Sequence, residues 1–438
     1  MAEGTAAGGA PLPTGPLRVA SGSAGLDAIS GGGLPAGEVV LVTGTTGTGK
    51  TVLAAQFLAA GAALDEPGVF VTLEESPAKV RRFMSGFGWD IAGWEAAGVW
   101  AFLDASVGDE REVVVGEEVD LSALISRVTA TIRRIGARRV VVDSITGVLS
   151  RLGDSRRVRA ELQRLVRCLE GLDVTTVVTS ESDCDHDAAP RYGVEQFVAD
   201  NVVILRNTLD QDHRRRTIEA LKLRGVAHLT GEYPFDILPG EGLAVASLTD
   251  LTLTHPSSTE RATFGNSGVD ELCDGGALKG SAILVSGPTG IGKSLLALEF
   301  AASVAGTEGR SLYLAFEESH EQVAGNGRAW GHDITALEAA DRLRLQCQYP
   351  ESAPLPAHLI RIQKAVTEFA PARVVVDSMS AIERSASRRV FQEFMLGLSA
   401  FLKERAITTL SRRRRPGCWE APPPAATRRR RRCWTPSS

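Results

Sequence analysis

Cysteine is sparse and scattered. The six residues (Cys168, Cys184, Cys273, Cys347, Cys418 and Cys433) form no CxxC pair and no cluster with histidine. That argues against a zinc centre or a disulfide framework and suits a reducing cytoplasm. No apolar run is long enough to span a bilayer, and the start lacks the charged-then-apolar pattern of a signal peptide. Lysine is scarce, with seven residues against forty-one arginines. Basic charge is also concentrated: residues 411–438 hold nine Arg and one Glu, so this stretch carries +8 of a net −5. The rest is then about −13, and so acidic a body disfavours a broad nucleic-acid surface, which binds phosphate through Lys and Arg.

What is present is a long, ordinary globular composition. The 438 residues, 43% hydrophobic and 23% charged, allow two or more domains with their own cores. The first sixteen residues, rich in Ala, Gly and Pro, read as a flexible tail. Beyond them the chain repeats itself. "GLDAISGGGLPAGEVVLVTG" from residue 25 aligns with "GVDELCDGGALKGSAILVSG" from residue 268, "FVTLEES" with "LAFEES", and "ARRVVVDSITGV" with "PARVVVDSMSAI". Lys50 to Lys293 and Glu74 to Glu317 each span 243 residues, and Asp143 to Asp377 spans 234. Order and spacing are kept, which marks a duplicated domain.

Short β-branched runs alternate with helical stretches in each copy. Strands are expected at 39–43, 69–73, 140–142 and 174–179, with helices from Lys50 and over 121–135. Fully apolar strands between helices predict an α/β fold: a mainly parallel sheet covered on both faces, twice over. The expected boundaries are a first domain over 17–247, a Ser/Thr-rich linker over 248–266, an incomplete second domain over 267–410 and an Arg/Pro-rich tail over 411–438.

Two segments fit G-x-x-x-x-G-K-[ST] between a strand and a helix. They are Gly44, Thr45, Thr46, Gly47, Thr48, Gly49, Lys50, Thr51 and Gly287, Pro288, Thr289, Gly290, Ile291, Gly292, Lys293, Ser294. Such a loop turns backbone N–H groups and a helix N-terminus toward phosphate oxygens. Lys50 and Lys293 would reach the β- and γ-phosphates, and Thr51 and Ser294 would ligate magnesium. Asp143 and Asp377 each end a run of three valines and are the candidate second magnesium ligands; a helix N-cap is the plainer role for the "DS" pair. Glu74–Glu75 and Glu317–Glu318 offer a carboxylate to orient and deprotonate water. Adjacent strand residues point oppositely, so Glu74 and Glu317 are favoured, their neighbours assisting. In "LKLRGVAH", Lys222 and Arg224 alternate on an expected strand and could serve a neighbouring subunit's phosphates, or simply line a solvated edge.

Together these motifs resemble the KaiC family of circadian-clock ATPases, within the RecA-like P-loop superfamily. The likeness covers roughly residues 17–410 and includes "GGLPAGE", both P-loops, both "EES" pairs, both "VVVDS" strands, "RRRTIEALKLRG" and "GEYPF". It implies two tandem RecA-like domains, a double-ring hexamer with ATP and Mg2+ between subunits, slow ATP hydrolysis in the first ring, and Ser/Thr autophosphorylation in the second. It further implies that Lys222, Leu223, Arg224 and His228 complete a neighbour's first-ring site, that Trp330 lies near nucleotide in the second, and that clock proteins are partners. A RecA-like DNA-binding recombination ATPase is the alternative, and a nucleotide-binding scaffold without turnover a third reading.

The second copy departs from the family after "FQEFMLGLSAFLKERAITTL". Lys222 lies 79 residues past Asp143, and the same distance past Asp377 would be position 456. The expected phosphoacceptor pair and second basic pair are therefore not found, which counts against the autokinase activity that the resemblance implies. Residues 411–438 read as the product of a shifted reading frame in a GC-rich gene, with a basic tail for nucleic acid or an acidic partner as the rival.

Overall fold

The computed structural model describes residues 17–106, 121–149, 155–182, 199–210, 213–246, 258–306 and 309–414. The chain divides into two compact units, Met1–Leu251 with Ala353–Lys364, and Thr252–Ser352 with Ala365–Ser438. The expected tail over 1–16 and the span 415–438 lie outside the described residues.

The first unit is built on nine strands: β1 (Val39–Gly44), β2 (Gly68–Thr72), β3 (Trp100–Asp104), β4 (Arg139–Asp143), β5 (Thr175–Glu181), β6 (Asn201–Asp210), β7 (His213–Leu223), β8 (Tyr233–Leu238) and β9 (Gly242–Val245). They lie in the order β9-β8-β7-β6-β1-β5-β4-β2-β3. From β6 to β3 every pairing is parallel; from β6 to β9 the chain folds back as an antiparallel meander. The parallel part matches the expectation from the valine runs. All six residues of β1 are buried, because alternate side chains feed two cores. Val40 and Val42 join Phe57, Phe70, Val141 and Val177 on one face. Val39 and Leu41 join Val69, Val71, Val178, Val202 and Ile204 on the other.

The second unit carries β10 (Ala282–Gly287), β11 (Ser311–Ala315), β12 (Leu343–Cys347), β13 (Arg373–Asp377) and β14 (Thr408–Arg414), in the order β10-β14-β13-β11-β12 and wholly parallel. This repeats the order β1-β5-β4-β2-β3 of the first unit. Among the described residues nothing pairs with β10 on the side where β6 covers β1. Leu284 is therefore 54% exposed where its counterpart Leu41 is 2% exposed. An apolar groove of about 160 Å³ lies along this edge, lined by Leu284, Met379, Met395, Leu398 and Leu402 among others.

Two expected boundaries shift. Arg261–Ala262 pairs with Ala277–Leu278, as Arg18–Val19 pairs with Leu34–Pro35, so ordered structure begins inside the segment read as linker. Ser411–Arg414 is strand, not tail: parallel pairing with β10 carries the backbone on, placing Ser411 beside Leu284 and Arg414 beside Gly287. Backbone hydrogen bonds require no particular side chain, so the strand continues where the alignment stops.

Each unit is tied together by a buried arginine. Arg139 on β4 donates to the carbonyl oxygens of Ala20 and Phe57 (2.8 and 2.9 Å), pairs with Glu66 at 2.7 Å and lies over the Phe57 ring. Arg373 on β13 repeats this toward Thr263 and Phe300 (2.9 and 3.0 Å) and lies over the Phe300 ring. Both link the unit's first residues to the helix that follows the P-loop.

Candidate active site

Gly44 ends β1, and the following loop runs into helix α1 (Lys50–Ala62). Gly49 caps that helix with φ of 105°, a left-handed conformation that favours glycine, and Gly292 does the same at 90° before helix α2 (Lys293–Ala302). The Lys50 ammonium is buried and donates to the carbonyl oxygens of Gly44 and Thr45 at 2.8 and 2.9 Å, so the loop folds around it. Burial lowers its pKa, opposed by the charges of Glu181, Asp143 and Glu74. Those three carboxylates come from β5, β4 and the end of β2, which the parallel order brings to one end of the sheet.

Asp143 is buried, and burial raises its pKa against hydrogen bonds from Thr179 and Thr51. Its Oδ1 accepts from the Thr179 hydroxyl. The hydroxyl of Thr51 and the carboxylate of Asp143 thus meet, as a hard divalent cation would require of its ligands. Glu74 follows β2 and is exposed, its Oε1 accepting from Ser144 Oγ at 2.8 Å and Gly147 N at 3.2 Å. Glu75 turns away to an exposed ion pair with Lys79. The peptide between Asp143 and Ser144 is cis, as is that between Asp377 and Ser378.

Lys222, Leu223, Arg224 and His228 are not at this end. Leu223 pairs with Asn201, which pairs with Val40 at the start of β1. Gly44 is four positions beyond Val40, so this group lies about 13 Å of strand from its own P-loop. Arg224 lies just past the end of β7, and both basic side chains face Asp200, Arg224 at 2.9 Å and Lys222 at 3.9 Å. His228 Nδ1 stands 3.2 Å from the Val226 carbonyl.

In the second unit Lys293 donates to the Pro288 carbonyl at 2.5 Å. Glu317 accepts from Ser378 Oγ and Arg384 Nη2, both at 2.8 Å, and Glu318 from Asn326 Nδ2 at 3.1 Å. Burial would raise the pKa of Glu317, but hydrogen bonds from Arg384 and Ser378 and the charge of Arg412 outweigh it and hold it low. Trp330 ends helix α3 (His320–Ala329), which starts just past this pair, and is 40% exposed. Asp377 differs from Asp143. Its Oδ1 accepts from Arg412 Nε and its Oδ2 from the Tyr313 hydroxyl at 2.6 Å.

Ser144, Ser378, Thr179, Tyr313 and Arg412 were not singled out by motif. The "VVVDS" repeat held a signal for the serines, since a helix N-cap is the plainer role of its "DS" pair; Ser378 does cap helix α4 (Met379–Arg384), and it also holds Glu317. The others reach the site through strand register, which no local motif encodes.

The sequence profile of the family described as "ATPase: KaiC" matches residues 19–250 and again 263–412. The chain belongs to the KaiC family. It is 44% identical over 390 residues to the circadian clock protein KaiC3 of Synechocystis sp., covering 89% of this chain and 77% of that protein. It is 45% identical over 387 residues to the circadian clock oscillator protein KaiC of Synechococcus elongatus, covering 88% and 74%. As a KaiC-family ATPase with two RecA-like units the chain binds ATP, and these matches do not favour the recombination reading. Among the described residues no helix is long and apolar enough to cross a membrane.

Proposed function

We propose that the chain is a KaiC-like clock or signalling ATPase, cytoplasmic and assembled as an ATP-dependent hexamer. Its working site is in the first unit, at the interface between subunits. The observation that carries this is the meeting of Lys50, Thr51, Glu74 and Asp143 at one end of the sheet, from the P-loop and the ends of β2 and β4. Gly44–Thr51 cradles the phosphates, and Lys50 exchanges its carbonyl partners for phosphate oxygens. Thr51 and Asp143 would hold Mg2+, which when bound neutralises charge on the β- and γ-phosphates. Glu74, held by Ser144 and Gly147, orients a water and accepts its proton as the bond to the leaving ADP breaks.

The placement of Lys222, Leu223, Arg224 and His228 supports a role in trans. They lie too far along the sheet to serve their own loop, and Arg224 is largely exposed. In a ring they would offer positive charge to the neighbour's phosphates. The family names support a place in a clock, with clock proteins as partners.

The test is ATP turnover and particle mass of the full chain. Lys50→Ala should lower turnover by at least about a hundredfold, the scale of losing one charge-stabilising group. ATP should convert smaller species to hexamers. Turnover near the wild-type rate in Lys50→Ala would sink the site, and a monomer at saturating ATP would sink the ring.

A further inference from the structure

The second P-loop has arginines beside it that the first lacks. β5 and β14 occupy the same place in the two sheets: Gly44 pairs with Glu181 on β5, and Gly287 with Arg414 on β14. Counting back two residues in that register, Thr179 corresponds to Arg412. Thr179 donates a neutral hydroxyl to Asp143. Arg412 instead places a guanidinium across two of the three acidic groups of its site: Nε donates to Asp377 Oδ1, and Nη2 to Glu317 Oε2 at 2.8 Å. The other oxygen of Asp377 is held by Tyr313, where the first unit has Phe70, which has no hydroxyl to offer.

This arrangement does not fit magnesium. A hard cation needs a carboxylate oxygen with its charge unspent. Asp377 is 5% exposed, with one oxygen on a fixed positive charge and the other on a hydroxyl. Glu317 is bound by the same guanidinium and by Arg384, which removes it from water activation. The phosphate-facing part is nevertheless kept: the left-handed Gly292 cap, the start of α2 and Lys293. Arg412 and Arg414 both place positive charge near Lys293, where the first unit has Glu181 near Lys50.

We propose that the second P-loop is a magnesium-independent site for the polyphosphate of a nucleotide, with Arg412 as its built-in cation, and that it binds without hydrolysis. This rests on Gly287–Ser294 being a phosphate loop. The site would hold each subunit's second unit in a nucleotide-bound state that no turnover ends.

The experiment uses the full chain with Lys50→Ala, which silences the first loop, and titrates ATP by equilibrium binding in excess EDTA and in excess Mg2+. The expected result is binding that differs by less than about threefold between the two, where metal-bridged phosphate binding differs by tenfold (about 1.4 kcal/mol) or more. Adding Lys293→Ala should abolish it. Arg412→Thr, the residue of the first unit, should create at least a tenfold preference for Mg2+. The comparison in Lys50→Ala alone needs no change at Arg412, so the proposal stays testable if Arg412→Thr does not fold. Magnesium-dependent binding that Lys293→Ala removes would overturn the proposal but keep the phosphate loop. Binding that survives Lys50→Ala with Lys293→Ala would overturn both.

Discussion

Replacing Glu74 by Gln is the sharpest probe of the first unit. The amide keeps the size of the side chain and one oxygen able to accept from Ser144 Oγ and Gly147 N, now 2.8 and 3.2 Å from Oε1. It removes the negative charge and the ability to take a proton. Fold and nucleotide affinity should therefore survive while the chemical step slows. General-base catalysis contributes about 10² to 10⁴ in rate, or about 2.7–5.4 kcal/mol of barrier at 1.36 kcal/mol per decade. Glu75→Gln is the matched control. Its carboxylate is engaged with Lys79 at the surface, and exposed pairs of this kind contribute about 0–1 kcal/mol. Phosphate release under saturating ATP and Mg2+ should fall at least about a hundredfold for Glu74→Gln and less than about threefold for Glu75→Gln. Nucleotide affinity, measured separately, should change little in either. Equal losses in the two variants, or a Glu74→Gln rate above a tenth of wild type, would refute the assignment of the base.

Arg139→Ala leaves the carbonyls of Ala20 and Phe57 without their donor and Glu66 without its partner. Removing one member of such a buried set costs about 3–5 kcal/mol, which should appear as a large drop in the urea midpoint of the first unit. Burial raises the pKa of Asp143, and Thr179 opposes that by donating to the ionised form. Activity should thus fall on acidification at a higher pH than an ordinary aspartate would give, and Thr179→Val should move that limb higher still in a pH–rate profile. The sign for stability is opposite: the folded chain holds this proton more tightly, so the stability contributed by Asp143 is present at low pH and lost as pH rises through its raised pKa. Leu284→Lys should cost less than about 0.5 kcal/mol and reduce light scattering on warming, since an exposed apolar edge strand invites pairing with other chains, whereas Leu41→Lys should unfold the first unit.

Much of this was legible in the sequence because phosphate chemistry fixes residues that are contiguous. The glycines, the lysine and the hydroxyl of each P-loop lie within eight positions, and each valine run ends on its carboxylate. The parallel core followed from the same runs, whose strands all lie within a residue or two of expectation. The antiparallel strands β7 to β9 were legible only in fragments, since edge and meander strands alternate polar with apolar residues and carry no fixed period of burial. Thr179 and Tyr313 were illegible for another reason. Each reaches its carboxylate across neighbouring strands, Thr179 from 36 positions and Tyr313 from 64 positions away in the chain. Only pairing register decides which side chains of two strands end side by side.

Register also explains why a loss of alignment and a loss of fold occur at different places. After Leu410 the second copy stops resembling the first, although the family profile still matches to residue 412. Yet β14 runs on for four residues, because β10 presents its backbone hydrogen bonds whatever side chains arrive. The arginines that broke the alignment are thereby placed at the carboxylate end of the sheet, where a single change of side chain alters the chemistry most. Arg413 finds Glu383, and Arg412 finds Asp377 and Glu317, so these two acidic groups of the second site are neutralised from within. On the proposal made above, the second P-loop would keep its cradle for phosphate and exchange the demand for a metal for a cation of its own.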